Sequence, residues 1–424
     1  MAFSPRNLIP KFVFSAYHFC WAILGAIIYR FPSKHLRVIG VTGTKGKTST
    51  SYFIAQLLDS LGEKSGLTST ALFKIGPLVW QNNKKQTMLG RFGIQRLLRK
   101  MVAQKCTYAV VETSSEGILQ HRHRGINYAA AVFTNISPEH IERHGTFENY
   151  RTAKEKLFKK VSRATRGISV INLDDASAQM FSKYRANKML GISFDVAPTP
   201  EWFHGDTLRA KVTGDYPEQV LSIDGVEGKL ALLGEFNASN VALAVATLYG
   251  FGFPLADTMA HIEKLILPPG RLEEIENKKG FKVFVDYAHE PSSLKAALIA
   301  VRTITTGRVL VLTGAQGGGR DIWKRLVMGK VAAEHADIVV ITNEDPYDED
   351  PEKIIADVAT GALDKGDDVH LVADRKNAIE KILFMAKSGD SILIAGKGGE
   401  VSMCVQNGKT IPWSDANIVR EILK

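Results

Sequence analysis

"GVTGTKGKTSTSYF", residues 40–53, places a glycine-rich turn between a β-branched run, "LRVIGVTG" (36–43), and a stretch of helical character. Gly43 and Gly46 can adopt backbone angles that aim successive N–H groups at a phosphate, and a helix N-terminus behind them adds its positive end. "KTSTSYFIAQLLDSLG" (47–62) has apolar residues at helical spacing and stops at Gly62. Strand, turn and helix in that order are the context a phosphate-binding loop requires. In that reading Gly43, Thr44, Lys45, Gly46 and Ser49 cradle phosphates, Lys47 reaches the terminal ones, and the Thr48 hydroxyl sits on Mg²⁺. The competing reading is a plain Gly/Thr turn ahead of a helix. The pattern is also irregular. The usual loop has a glycine five residues before its Gly-Lys-Thr, where this chain has Val41, and the glycines at hand are Gly40 and Gly43.

Outward from the loop, "YAVVET" (108–113) and "AAAVFTNI" (129–136) read as further buried parallel strands. Glycines, aromatics and alternating residues between about 190 and 235 suggest a small β-rich insertion, and "NASNVALAVATLYGFG" (237–252) is again helical. "LPPGRLE" (267–273) is a linker signal. Beyond it, "FKVFVDYA" (281–288), "GRVLVLTGA" (307–315), "ADIVVITNEDP" (336–346), "DDVHLVA" (367–373) and "DSILIAGKG" (390–398) alternate with helix-like stretches. That is a second α/β unit with a mostly parallel sheet. A chain of 424 residues exceeds what one core serves, so two or three domains are expected. A 45% hydrophobic and 23% charged composition argues against disorder. Cys20, Cys106 and Cys404 are far apart, so a disulfide framework or structural zinc is not expected, and the chain suits a reducing cytoplasm. The net charge of +10 suits an anionic partner, but the basic residues are scattered without interleaved aromatics, which favours a nucleotide or phosphosugar over nucleic acid.

The N-terminus departs from this pattern. "FVFSAYHFCWAILGAIIY" (12–29) has no charged residue and is bracketed by Lys11 and Arg30. As a helix it would be roughly 27 Å long, a little short of a membrane span. No cleavage site follows it, which argues against a secretory signal. Two readings remain: a helix packed on the protein or a partner, or one associated with a membrane.

"TGTKGKTST" resembles the "TGTxGKT" loop of the Mur ligases, ATP-dependent amide-forming enzymes of peptidoglycan synthesis, in which the glycine lies three residues before that of Gly-Lys-Thr, as Gly43 does. "VETSSEGILQHR" (111–122), "FTNISPEHIERHGTFENYRTAKEKLF" (133–158), "LLGEFNASNVALAVA" (232–246), "PGRLE", "VFVDYAHEPSSLKAAL" (283–298), "GGGRDIWKRLVMG" (317–329) and "IAGKGGE" (394–400) are similar to further motifs of that family, in the same order. The subgroup most resembled adds the third peptide residue to UDP-N-acetylmuramoyl-dipeptide. The resemblance implies a P-loop central domain (37–267) and a Rossmann-like C-terminal domain (268–424) behind an apolar N-terminal segment (1–36), with ATP held between the last two.

It also implies roles. ATP phosphorylates a carboxylate to an acyl phosphate, which a free amine then attacks; the phosphoryl step needs charge neutralisation above all. Glu112, His140 and Lys154 would hold two Mg²⁺ with Thr48, Lys154 as a carbamate formed with CO₂. A strand-end Glu can otherwise be a helix-capping or solvated residue, a lone His a structural one and a helix lysine a solvated one, and Lys156 and Lys159 compete with Lys154. Arg271, Asp286, Tyr287 and His289 would hold the nucleotide with Asn237 and Asn240, although a helix N-cap explains one asparagine equally well. Ser115, Arg122, Arg320, Glu344, Asp345, Tyr347, Gly396 and Glu400 map to positions facing the muramoyl-peptide or the amine.

Four departures stand against the subgroup. Its N-terminal uridine-binding domain is replaced by about 36 mostly apolar residues. This leaves recognition of the UDP end open and admits a lipid-linked or truncated acceptor. "DNPR", whose arginine grips the distal carboxylate of diaminopimelate, is "EDPY" (344–347), and with Asp348 and Asp350 this acidic stretch favours lysine over diaminopimelate, although an acidic loop can equally be a solvated one. Gly399 replaces a histidine, "SSHG" reads "SSEG" with Glu116, and "QDH" reads "PEH" with Glu139; an added carboxylate needs a metal or an arginine beside phosphates. None removes Lys47, Thr48, Glu112, His140 or Lys154. The expectation is a cytoplasmic ligase acting on small muramoyl-peptide and amino-acid substrates. The alternatives are a folylpolyglutamate or cyanophycin-type ligase, or a membrane-tethered nucleotide-binding regulator without catalysis.

Overall fold

The computed structural model describes residues 11–84, 86–139, 141–319, 321–366 and 368–424, so His140 and Arg320 lie outside the described residues. They form two compact units, one running through Ala231 with Ala238–Ile266, the other comprising Leu232–Asn237 and Leu267–Lys424.

The strands of the first unit are β1 (Arg37–Thr42), β2 (Ser65–Thr68), β3 (Leu72–Ile75), β4 (Leu78–Gln81), β5 (Tyr108–Glu112), β6 (Tyr128–Phe133), β7 (Ile168–Asn172), β8 (Lys188–Ser193), β9 (Asp206–Thr213), β10 (Gln219–Ile223) and β11 (Val226–Leu230). They make one sheet in the order β11-β10-β9-β8-β7-β6-β1-β5-β2-β3-β4. From β2 across to β9 neighbours are parallel, and antiparallel hairpins finish both ends. The β-rich segment expected as an insertion is therefore continuous with the main sheet. The alternating pattern of 206–230 marks a half-exposed sheet edge, and alternation cannot tell an edge from a separate module.

Helices α1 (Lys11–Ile28), α2 (Lys47–Ser60), α3 (Arg91–Ala103), α4 (Ser115–Leu119), α5 (Ile141–His144), α6 (Phe147–Val161), α7 (Ala178–Ser182), α8 (Glu235–Gly250) and α9 (Leu255–Met259) connect or cover these strands. The central strands β1, β5 and β6 are buried on both faces, as their continuous apolar runs require. Gly40 belongs to this packing. A Cβ there would fall within 2.9 Å of the Tyr128 ring and 2.8 Å of Leu157, so the bare backbone lets α6 lie close on β1. Phe133 and Phe181 stack at 3.9 Å in the same core.

In the second unit β12 (Glu273–Glu274), β13 (Lys282–Asp286), β14 (Val309–Thr313), β15 (Ile338–Thr342), β16 (Val369–Val372) and β17 (Ser391–Ala395) form a sheet in the order β12-β13-β17-β14-β15-β16, parallel except for β12. Helices α10 (Pro291–Thr303), α11 (Lys324–His335), α12 (Pro351–Leu363), α13 (Arg375–Met385) and α14 (Asp415–Ile422) accompany it. The continuous apolar runs read as strands in the sequence are the fully buried β14, β15 and β17. Ligands bind such open sheets beyond the carboxyl ends of the strands, where Asp286 ends β13 and Glu344 and Gly396 come after β15 and β17.

Candidate functional site

Pairing of β1 with β5 and β6 sets Val41 against Glu112 and Thr42 against Phe133, so the 43–46 turn leaves the sheet beside Glu112 and Thr134. Both loop glycines are required by what crowds them. A Cβ on Gly43, at φ 155°, would meet Thr134 Oγ1 at 1.9 Å, and one on Gly46, at φ 74°, would meet Asn240 Oδ1 at 2.2 Å. The turn is further pinned by Asn135, whose Oδ1 accepts from Lys45 N–H at 2.9 Å. Gly46 caps α2 without a side-chain acceptor, leaving the helix N-terminus a donor-rich end suited to an anion. Lys47 Nζ donates to the Thr44 carbonyl at 2.6 Å.

Thr48 Oγ1 donates to Glu112 Oε2 at 3.1 Å, and the Thr70 N–H and hydroxyl donate to the same buried carboxylate at 2.7 and 3.0 Å. Hydroxyl and carboxylate oxygens side by side are the hard donors Mg²⁺ prefers. Among the described residues no group of three or more His, Cys, Asp or Glu is arranged to hold a metal ion, and His140 lies outside them.

α6 brings Lys154 under the loop. Thr146 caps this helix at Asn149 N–H, and its buried face carries Tyr150, Ala153, Lys154, Leu157 and Phe158. Lys154 is 1% exposed; its amine donates to the Gly43 carbonyl at 2.5 Å and lies 4.4 Å from the centre of the Tyr150 ring. Burial, reinforced by Lys47, holds this amine well below the ordinary lysine range, against the opposing pull of Glu139 and Glu112. Lys156 and Lys159 point to solvent. Tyr150 is a further member of the site: its hydroxyl pairs with Thr44 Oγ1 at 3.0 Å and lies 3.5 Å from Glu139. Its signal was only its place four residues before Lys154 on one helix face.

Ser115 opens α4 behind its N-cap Ser114, and Ser115 Oγ lies 3.2 Å from His144 Nε2. Arg122 is half-buried, donating to the Met88 carbonyl and, at 2.7 Å, to Gln120. The added Glu116 is matched by Arg143 at 2.6 Å. Asn240 accepts from Thr50 at 3.2 Å on the α2 side of the loop.

In the second unit Asn237 is buried and donates to the Leu233 carbonyl at 2.7 Å. Asp286 accepts from Leu272 and Ala288 N–H at 2.7 and 2.8 Å. Burial raises its carboxyl, with Arg271 opposing. The Arg271 guanidinium lies 4.4 Å from the centre of the Tyr287 ring, and His289 Nδ1 is 2.7 Å from the Tyr287 carbonyl. These four residues form one cluster. Lys397 joins Asp345 at 2.8 Å and Glu400 at 2.5 Å. Glu344 is fully buried, neither of its oxygens has a hydrogen-bond partner among the described residues, and burial raises its carboxyl. A Cβ on Gly396 would meet its Oε2 at 2.5 Å. The acidic stretch is less open than its sequence suggested: Asp348 accepts from Asn407 N–H and Asp350 caps α12, both ordinary structural roles. Tyr347 follows at φ 54°. Arg375, buried and paired with Asp415 at 2.7 Å, reaches the Ala395 and Asn343 carbonyls and was not foreseen, since nothing in the sequence links residues forty positions apart.

Two family descriptions match the chain: the Mur ligase middle domain over residues 41–248 and the Mur ligase, glutamate ligase domain over 270–398. A UDP-N-acetylmuramyl-tripeptide synthetase of Roseiflexus sp. (strain RS-1) is 34% identical over 95% of this chain and 81% of its own length. The chain belongs to the Mur ligase family. Within it, the resemblance is to the tripeptide-synthetase type. A UDP-N-acetylmuramoyl-L-alanyl-D-glutamate–2,6-diaminopimelate ligase of Vibrio parahaemolyticus is 36% identical over 98% of this chain and 82% of its own. A solved ligase of that same description is 32% identical, with a TM-score of 0.60 over 92% of this chain and 78% of its own. A Mycobacterium tuberculosis folylpolyglutamate synthase gives a TM-score of 0.70 over 89% and 92% of the two chains at 18% identity, which extends the shared fold to that enzyme. The two α/β units are thus those of the Mur ligase superfamily.

Proposed function

We propose that this Mur ligase joins a diamino acid, lysine or diaminopimelate, to UDP-N-acetylmuramoyl-L-alanyl-D-glutamate at the expense of ATP, in the cytoplasm, during peptidoglycan synthesis. Two of its relatives are named as UDP-N-acetylmuramoyl-L-alanyl-D-glutamate–2,6-diaminopimelate ligases, which supports the acceptor and the diamino-acid class. The observation that carries the reading is the convergence of Lys47, Thr48, Glu112 and Lys154 on one loop at the end of β1. The first unit is read as a P-loop domain and the second as Rossmann-like. Gly43–Ser49 bind the phosphates and Lys47 neutralises the one transferred to the acceptor carboxylate, giving an acyl phosphate that the amine attacks. Thr48 and Glu112, with His140, would hold Mg²⁺, which when bound offsets charge on the phosphate oxygens.

Lys154 is read as a carbamate. Its neutral amine attacks CO₂, a C–N bond forms, and the released proton leaves to solvent. The buried neutral amine is thereby replaced by an anion suited to a metal. In the second unit, Arg271, Asp286, Tyr287 and His289 are read as nucleotide contacts. Glu344 supports binding of a cationic amine, and Tyr347 in place of arginine favours lysine over diaminopimelate.

The test is incubation with ATP, Mg²⁺, UDP-muramoyl-dipeptide and each amine separately, read by product mass and phosphate release. A lysine adduct is expected. A diaminopimelate adduct alone would refute the amine preference, and absence of phosphate release with every pair would favour the regulator.

A further inference from the structure

α1 is apolar on all sides, yet only one side is covered. Ala22, Gly25 and Ala26 pack against α3 and the turn at Gly125, where a Cβ on Gly125 would fall 2.5 Å from Ala26. The opposite side shows Val13, Tyr17, Leu24, Ile27 and Ile28, all more than two-fifths exposed, with Trp21 beside them. A helix with such a face is expected inside a protein or against lipid. Among the described residues no helix is long and apolar enough to cross a membrane.

The surroundings say what covers it. Cations flank the helix: the Arg91 guanidinium lies 5.8 Å from the Tyr17 ring centre and that of Arg124 5.6 Å from Phe19. Ser15 is hydrogen-bonded to His121 at 2.8 Å, which ties α1 to the "HRHR" turn (121–124). That turn sits in a positive field. Arg124, Lys156 and Arg91 act on His121, and Lys160, Arg124 and Lys156 act on His123. Burial together with Arg124 pushes Lys160 down to about 8. The carboxylate acting on Arg122 is Glu116, itself joined to Arg143.

We propose that α1 lies in the plane of an anionic lipid surface, inserting Tyr17, Trp21, Leu24 and Ile28 among the acyl chains while Arg91, Arg124 and Lys156 meet acidic headgroups. Exposed apolar residues without a positive rim would fit a neutral partner equally well; the rim selects an acidic one. Aromatic residues with a polar edge favour the headgroup boundary, and an in-plane helix gains from apolar insertion and charge attraction together.

The experiment is flotation of the full-length chain with vesicles of phosphatidylcholine alone and of phosphatidylcholine containing about one third phosphatidylglycerol. Strong flotation with the anionic vesicles, weak flotation with the neutral ones and release by salt are expected. Tyr17→Ser/Leu24→Ser/Ile28→Ser, all at exposed positions, should weaken binding by more than about tenfold while the thermal midpoint holds. Arg124→Gln/Lys156→Gln should lose about fivefold per charge on anionic vesicles only. Equal binding to both vesicle types, or no binding to either, overturns the proposal, as does a wild-type dimer that the triple-serine variant abolishes in place of lipid binding. The readout needs no turnover, so it stands apart from the ligase assignment.

Discussion

The amine of Lys154 donates to the carbonyl of Gly43 at 2.5 Å, so a side chain from the middle of α6 touches the first glycine of the loop. Gly40 makes the approach possible by letting Leu157, one turn further along α6, pack on β1. The two glycines that made the motif look irregular thus have separate duties, one in helix packing and one in the loop.

Lys154→Arg keeps a long basic side chain but cannot form a carbamate, because its guanidinium stays protonated. Phosphate release should fall by about 10²–10³-fold. The depressed basicity of Lys154 leaves the amine neutral, and able to react with CO₂, at a pH below the usual lysine range. Wild-type activity should therefore drop in CO₂-depleted buffer and return with bicarbonate, whereas the arginine variant should respond to neither. Full activity of that variant would remove the carbamate from the mechanism.

Glu112→Gln preserves shape but replaces an oxygen that accepts from Thr48 or Thr70 with an amide donor. Turnover should fall by about 10²-fold, and the Mg²⁺ concentration for half activity should rise. A Mg²⁺ titration of ATP-dependent phosphate release checks both. An unchanged titration with unchanged turnover would place the metal elsewhere.

The loop, β1, α2 and the parallel strands were legible because each is a local pattern: a β-branched run, a turn, then a 3.6-residue period. Lys154 could be singled out only by resemblance, since periodicity alone puts Lys156 and Lys159 on the same helix with the same chemistry. Burial separates them, and burial depends on where α6 crosses the sheet. The continuation of the sheet through β9–β11 and the Arg375–Asp415 pair were illegible for the same reason. Both are long-range pairings that leave no trace in sequence spacing. Asp348 and Asp350 looked like free charge, but backbone N–H groups occupy them.

Glu344 is buried with both oxygens unpartnered among the described residues, an arrangement a cationic ligand group would relieve. Glu344→Gln should raise the KM for lysine by about tenfold or more with little change in kcat, as loss of a uniform binding contact does. Steady-state kinetics with lysine and with diaminopimelate measure it. An unaltered KM for both amines would leave Glu344 without a role in amine selection.

Arg375→Met removes one half of a fully buried pair and strands Asp415, which Trp413 Nε1 also contacts at 2.8 Å. Breaking such a pair costs about 3–5 kcal/mol. Urea unfolding of the variant should show that loss. Replacing both partners, as Arg375→Met/Asp415→Leu, should recover part of it, and a single variant as stable as wild type would deny the pair any structural weight.

His123 is buried, and burial together with Lys160 and Arg124 lowers its imidazole from 6.5 to about 3. The folded state therefore keeps it neutral where the unfolded chain takes up a proton. Its contribution to stability is complete above about pH 6.5 and is lost as pH falls towards 3, at about 1.4 kcal/mol per unit. Between neutral pH and about pH 5 the wild type should lose about 2 kcal/mol more than His123→Phe, whose side chain takes up no proton. Urea midpoints of both proteins at the two pH values give the difference. Parallel losses in the two would mean that His123 is already protonated in the fold, and that the positive field around the 121–124 turn is weaker than its geometry requires.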